Sequence, residues 1–140
     1  MTESKLYEII KRKLTVMGTV KLQRIESGST GLGIPDIFYR TLKYDGWIES
    51  KIIKTKLTKP IVVPFRPGQF SWLRDYILLG GTAFLMVYIE DTHDVAMLKN
   101  IYIQEWYDVG DIIVKASMFK SIRDITAEGL YTVLNNGVMG

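Results

Sequence analysis

The apolar positions of this chain change period along its length, and each change marks an element. Leu6, Ile9, Ile10 and Leu14 recur at helical spacing behind Thr2, a good N-cap residue, which predicts a helix over residues 3–14. Lys11, Arg12 and Lys13 fall at its C-terminal end, where the helix dipole favours positive charge; Met17-Gly18 marks the exit. From Thr19 to Glu26 the pattern alternates, with Val20 and Leu22 on one face and Lys21 and Gln23 on the other, as in a strand. A Ser- and Gly-rich loop over 27–33 leads to a short strand at 34–40, with Pro35 at its start, where strands tolerate proline. Asp45-Gly46 is a turn signal, and Trp47 to Lys54 reads as a third strand, hairpin-paired with the second.

Residues 55–66 form a polar, proline-punctuated connection, long enough for a functional flap, with a short irregular strand at Ile61 to Val63. Pro67 opens a helix whose apolar face is Phe70, Trp72, Leu73, Tyr76, Ile77 and Leu79, and Gly80-Gly81 ends it. Thr82 to Ile89 is apolar, β-branched and aromatic, the pattern of a central strand; Asp91 to Asp94 is a turn, and Val95 to Ile103 its hairpin partner. Asp108 to Asp111 reads as a turn, Ile112 to Val114 as a short strand, and Thr126 to Asn135 as a helix capped by Thr126. With no repeat and no boundary, the chain reads as one domain, 1–140, with a core over about 3–103 and a C-terminal extension over about 104–140.

Composition narrows the chemistry. At 140 residues and 47% apolar, the chain supports one modest core. No apolar run is long enough to span a membrane, and the N-terminus lacks a signal-peptide core, which predicts an intracellular protein without membrane association. The absence of cysteine excludes disulfides, thiol nucleophiles and cysteine zinc sites, and the single His93 cannot build a multi-histidine metal site. A net charge of +3 permits an anionic partner without demanding one. The glycines of 27–33 lack the Gly-Lys-Ser/Thr ending of a phosphate-cradling loop.

Two short pieces remain: Pro35-Asp36 and Glu49-Ser50-Lys51. Strand alternation puts Glu49 and Lys51 on one face and Ser50 on the other. Asp36 shares their face in either register considered: with a loop from Thr41 to Gly46 it faces Lys51, and with a tight turn on Asp45-Gly46 the parity holds at a larger offset. Two carboxylates and a main-chain carbonyl suit Mg²⁺, whose chemistry is to polarise a phosphate and acidify a water, beside a lysine that can stabilise developing charge or act on the attacking water. The plainer reading is a Glu-x-Lys ion pair plus a turn-forming Pro-Asp.

The order of the pieces favours the first. Arg24 to Ser27, Gly33 to Asp36, Gly46 to Lys51, the Gln-x-x-Trp-Leu of Gln69 to Leu73, Gly80-Gly81 and the apolar run Ala83 to Val87 resemble, in sequence order, the PD-(D/E)XK nuclease superfamily and its phage-type VRR-NUC branch. The resemblance covers about residues 3–103 and implies an α/β, restriction-endonuclease-like core with a central mixed β-sheet flanked by helices. It implies Mg²⁺-dependent DNA cleavage, Mn²⁺ substituting, with Asp36, Glu49 and the Ser50 carbonyl as metal ligands and Lys51 as catalytic lysine. Gln69 would position the lysine or the substrate phosphate. A further glutamate ligand would come from Glu3, with Glu8 or Glu26 as alternatives. Lys54, Lys56, Lys59 and Arg66 would touch DNA phosphates without reading sequence. Ser50 departs from the branch, which more often has an apolar residue there; since it faces the other side of the sheet, little effect on the metal is expected.

Small stand-alone domains of this branch are similar to dimeric Holliday junction resolvases, which implies branched DNA as substrate, a homodimer, and the cytoplasm of a bacterial host if the chain is phage-encoded. Apolar Trp106, Ile112, Ile113 and Phe119 in the extension would supply dimer contacts or cover a sheet edge. The competing readings are a nickase, a flap or single-strand endonuclease of the same superfamily, and a non-catalytic DNA-binding module on the same fold.

Overall fold

The computed structural model describes residues 1–25 and 33–136. Helix α1 (Glu3–Thr15) forms where the periodicity predicts it: Thr2 Oγ1 accepts from Lys5 N at 3.1 Å, and Leu6, Tyr7, Ile10 and Leu14 are buried. Strands β1 (Lys21–Arg24), β2 (Ile37–Arg40) and β3 (Asp45–Ile53) follow as an antiparallel meander. After the two-residue β4 (Ile61–Val62) comes α2 (Gln69–Leu78), then β5 (Ala83–Ile89) and β6 (Asp94–Lys99). A 3₁₀ turn (Asn100–Tyr102), β7 (Trp106–Tyr107), α3 (Val109–Lys115), β8 (Met118–Ser121), a second 3₁₀ turn (Ile122–Asp124) and α4 (Ala127–Leu134) complete the order.

Six strands form one sheet in the order β1-β2-β3-β5-β6-β8, and β4 pairs with β7 in a separate ribbon. The β3–β5 seam is parallel and every other pairing in the large sheet is antiparallel, so the sheet is mixed. A parallel pairing needs a crossover, and the chain from Lys54 to Thr82, carrying α2, is that crossover. β5 sits mid-sheet with all seven residues buried. On one sheet face α1 and α4 pack over Ile37, Tyr39, Ile48, Phe84, Met86 and Met97. On the other, α2, α3 and the small ribbon cover Ile53, Leu85, Val87, Ile89 and Leu98. Among the described residues no helix is long and apolar enough to cross a membrane.

Several boundaries differ from the sequence reading. The turn between β2 and β3 lies at Thr41 to Tyr44, where Thr41 N donates to Tyr44 O at 2.7 Å and Thr41 Oγ1 accepts from Tyr44 N at 3.0 Å. Asp45-Gly46 is therefore strand, not turn. Gly46 serves a close approach instead: a Cβ there would stand 2.2 Å from Thr82 O. Arg40 stands opposite Asp45 and Phe38 opposite Trp47, two residues tighter than the register expected for a Thr41–Gly46 loop, and a tight turn on Asp45-Gly46 does not form. The strand after the Asp91–Asp94 turn stops at Lys99, where Asn100 takes a left-handed conformation with φ 52°.

Ile112 to Val114 is helical, because the segment buries Ile112 alone and leaves Ile113 and Val114 to solvent, a helical rather than a strand pattern. The extension is woven into the sheet: β8 pairs with β6, covering that edge, and α4 packs on α1. Of its apolar residues, Ile112 is buried and Phe119 packs against the same core, whereas Trp106 and Ile113 are exposed.

Candidate active site

The site forms where β2 stops and β3 continues. The ladder between them runs from Arg40↔Asp45 to Ile37↔Ile48, while β3 extends to Ile53. Asp36, just before β2, has turned toward β1, its carbonyl accepting from Ile25 N at 2.7 Å. Its carboxylate turns the other way, toward β3. Oδ1 accepts from Ser50 N at 3.1 Å, and Oδ2 from Ser50 Oγ at 2.7 Å.

Glu49 and Lys51 lie on the α2 face of β3, both buried, with Lys51 Nζ 3.8 Å from Glu49 Oε2. Glu3, in the first turn of α1, comes from the opposite side. One carboxylate oxygen each from Glu3, Asp36 and Glu49 lies within 4.8 Å of the other two. The three acids thus come from a helix, a pre-strand bend and a strand, and they meet at the unpaired margin of β3.

The electrostatics are those of a cluster short of positive charge. Burial first, then the charge on Asp36, pushes the Glu49 carboxyl up to about 8; Glu3 adds to the rise, while Lys51 and Arg66 oppose it. Glu49 Oε1 is buried without a hydrogen-bond partner among the described residues. A carboxylate with an unpartnered buried oxygen, grouped with two more carboxylates, fits a hard divalent cation. Glu3, Asp36 and Glu49 are the residues that could hold one.

Gln69, the first residue of α2, is buried against this group. Its Oε1 accepts from Arg66 N at 2.7 Å, which fixes the amide's orientation and turns Nε2 toward Glu49 Oε2 at 3.5 Å. The α2 start is pinned in turn by Gly33, φ 74°, where a Cβ would stand 2.4 Å from Gly68 O. The residues leading to Asp36 and the helix carrying Gln69 are therefore in backbone contact, a juxtaposition the glycines hinted at without revealing their partner.

A cleft of about 500 Å³ opens beside the acids, lined by Glu3, Lys51, Lys54 and Arg66 among others. Lys54 and Arg66 thus stand at the site, whereas Lys56 and Lys59 are exposed in the following turn and do not line the cleft. Glu8 does not join the acids, because it lies on the exposed face of α1, away from the buried stripe of Leu6, Tyr7 and Ile10. Glu26 lies outside the described residues, as does the glycine-rich loop up to residue 32. Ser50 does lie on the opposite face from Glu49, but its hydroxyl bonds Asp36, a contact that strand alternation alone could not reveal.

No family profile matches the chain. No curated protein matches it either. Solved structures do: the chain superposes on the 1.6 Å structure of Archaeoglobus fulgidus Hjc, a Holliday junction resolvase from an archaeal hyperthermophile, with a TM-score of 0.57 at 12% identity, covering 81% of this chain and 93% of that one. At that identity the likeness is one of fold, and the fold is restriction-endonuclease-like: a six-stranded mixed sheet flanked by helices.

Proposed function

We propose that this chain is a divalent-metal-dependent DNA endonuclease of the PD-(D/E)XK type, of the VRR-NUC branch, acting on branched DNA. The observation that carries the reading is the meeting of Glu3, Asp36 and Glu49 within 4.8 Å, with the Lys51 ammonium 3.8 Å from Glu49. Three acids and one lysine gathered together, Glu49 and Lys51 buried and Glu3 and Asp36 half-buried, are a poor way to stabilise a fold and a good way to manage a phosphodiester. The likeness in fold to a protein described as a Holliday junction resolvase supports DNA, and branched DNA, as substrate.

In this reading Glu3, Asp36, Glu49 and the Ser50 carbonyl hold Mg²⁺ or Mn²⁺, which supplies Lewis acidity toward a phosphate oxygen and lowers the pKa of a water. Lys51, anchored by Glu49, presents its ammonium to the cleft, where it stabilises charge developing on the phosphate or orients the attacking water. Gln69 keeps Glu49 in place through its amide. Lys54 and Arg66 bind flanking phosphates, and Lys56 and Lys59 extend that contact outward. Symmetric cleavage of a four-way junction requires two sites, so the active species is a homodimer.

The test offers duplex, nicked, flap and four-way-junction DNA with Mg²⁺ to wild type, Asp36→Ala and Lys51→Ala. Wild type should cut the junction fastest, and both variants should lose about 10³-fold or more in rate, the scale on which removed charge stabilisation is felt. No cleavage by wild type, or equal cleavage by both variants, overturns the reading. Fastest cleavage of the flap or the nick assigns the chain to the rival nucleases instead.

A further inference from the structure

We infer that Ser50 is a positioning residue for Asp36: its hydroxyl holds the aspartate's carboxylate at the acidic cluster and thereby raises the affinity of the site for a divalent ion. The inference rests on the metal-site reading above and extends it to a residue that touches neither metal nor substrate with its side chain.

Alternation along β3 sets up the contact. Trp47 N donates across to Thr82 O on the β5 side, so the N–H groups of residues 46, 48 and 50 point the other way, toward β2. The β2 ladder ends at Ile37↔Ile48, so Ser50 N has no strand carbonyl to meet. Asp36 Oδ1 takes its place at 3.1 Å. That single bond would leave the carboxylate free to swing about it. The Ser50 hydroxyl, 2.7 Å from Oδ2, is the second point that fixes the plane of the group.

The restraint has a mobile group to hold: Asp36 is only half-buried, with one of its carboxylate oxygens within 4.8 Å of a carboxylate oxygen each of Glu3 and Glu49. Ser50 itself is fully buried, so its hydroxyl cannot turn to water. Each carboxylate oxygen carries two lone pairs, and the clamp occupies one on each, which leaves Asp36 able to coordinate an ion without releasing the serine. An apolar residue at position 50 would keep the main-chain bond and lose the clamp.

The experiment titrates Mn²⁺, and separately Ca²⁺, into the DNA-free full chain by calorimetry. Ser50→Ala should weaken binding about 10- to 100-fold, the usual effect of removing a group that orients a metal ligand. Ser50→Cys, near-isosteric but a poor donor, should show the same loss and covers the case in which the alanine variant does not fold. In an Asp36→Asn background the serine substitution should add less than about twofold, because the group it positions is no longer a carboxylate. Cleavage by Ser50→Ala should fall at limiting Mg²⁺ and recover as the ion is raised. Wild-type affinity in Ser50→Ala or Ser50→Cys, tighter binding, or an undiminished effect in the Asp36→Asn background overturns the inference. Failure of the wild type itself to bind either ion overturns the metal site instead.

Discussion

β3 is one strand with two environments. From Asp45 to Ile48 it has β2 as a neighbour on one side, and its buried residues there are Gly46 and Ile48. From Glu49 onward the parallel seam with β5 continues, but β2 is gone, and the buried residues become Glu49, Ser50, Lys51 and Ile53, three of the four polar. The first half closes the sheet with main-chain bonds. The second has a main-chain donor with no strand partner, Ser50 N, which Asp36 takes up, and side chains from α1 and the Asp36 bend fill the open margin. A sheet can thus carry concentrated charge where its ladder is incomplete, because a carboxylate does there what a strand carbonyl does elsewhere.

If the two halves have separate duties, they should break separately. The largest effect is expected from Glu49→Gln, which should lower metal-dependent cleavage by about 10³-fold or more while stabilising the metal-free fold at alkaline pH. The sign follows from linkage. The Glu49 carboxyl is raised from 4.5 to about 8 on folding, so between those values the folded chain holds a proton that the unfolded chain releases. Metal-free stability therefore falls as pH rises from about 4.5 to about 8, and the glutamine variant, lacking the group, should lose that slope. Thermal melts of both proteins at pH 5, 7 and 9 with a chelator present check it; parallel pH profiles would refute the account of Glu49.

Ile48→Ala should do the reverse: a loss of about 2–4 kcal/mol in urea unfolding, with Mn²⁺ affinity per folded molecule unchanged. If ion affinity falls as far as stability, the division within β3 is wrong. Next in size is the pH dependence of ion binding. Because Glu49 must lose its proton to serve as a ligand, Mn²⁺ affinity should climb by up to about tenfold per pH unit below about 8, with proton release visible as a buffer-dependent heat. The smallest effect concerns how far the active half reaches. Lys54→Ala and Arg66→Ala should each lower the salt dependence of DNA binding by about one unit of slope, and Lys56→Ala and Lys59→Ala by less. Equal slopes for all four would extend the contact surface beyond the cleft.

Much of the fold was legible because periodicity reports directly on burial. The stripe of α1, the cap at Thr126 and the unbroken apolar run of β5 each left one reading. Glycine was less legible, since it signals either a turn or a close approach. Asp45-Gly46 reads as the first and Gly46 is the second, which moves the β2–β3 register two residues from that of a Thr41–Gly46 loop. An even shift preserves the face, so Asp36 still met Glu49. The Ile-Ile-Val run in α3 was misread for a related reason: β-branched residues favour strands, but a helix of seven residues that needs to bury only Ile112 can ignore that preference. Glu3 was reachable only through the family resemblance, because nothing local connects the first turn of α1 to β3. The Ser50 contact was hidden by the alternation rule itself, which sorts side chains by face and says nothing of a residue standing at the edge.

The parallel seam between β3 and β5 also sets the order of events in making this molecule. Trp47 to Ile53 finds Ala83 to Ile89 only after the whole crossover has been synthesised. The meander β1-β2-β3 and the hairpin β5–β6 are local and can form early; the seam joining them is not, and such contacts form late. A nascent chain ending before Ala83 already contains Glu3, Asp36, Glu49, Ser50, Lys51 and Gln69, but not the strand that buries two of its charges. Burial of Glu49 and Lys51 therefore waits for the seam, and their loss of exposure to water reports that the two halves of the sheet have joined.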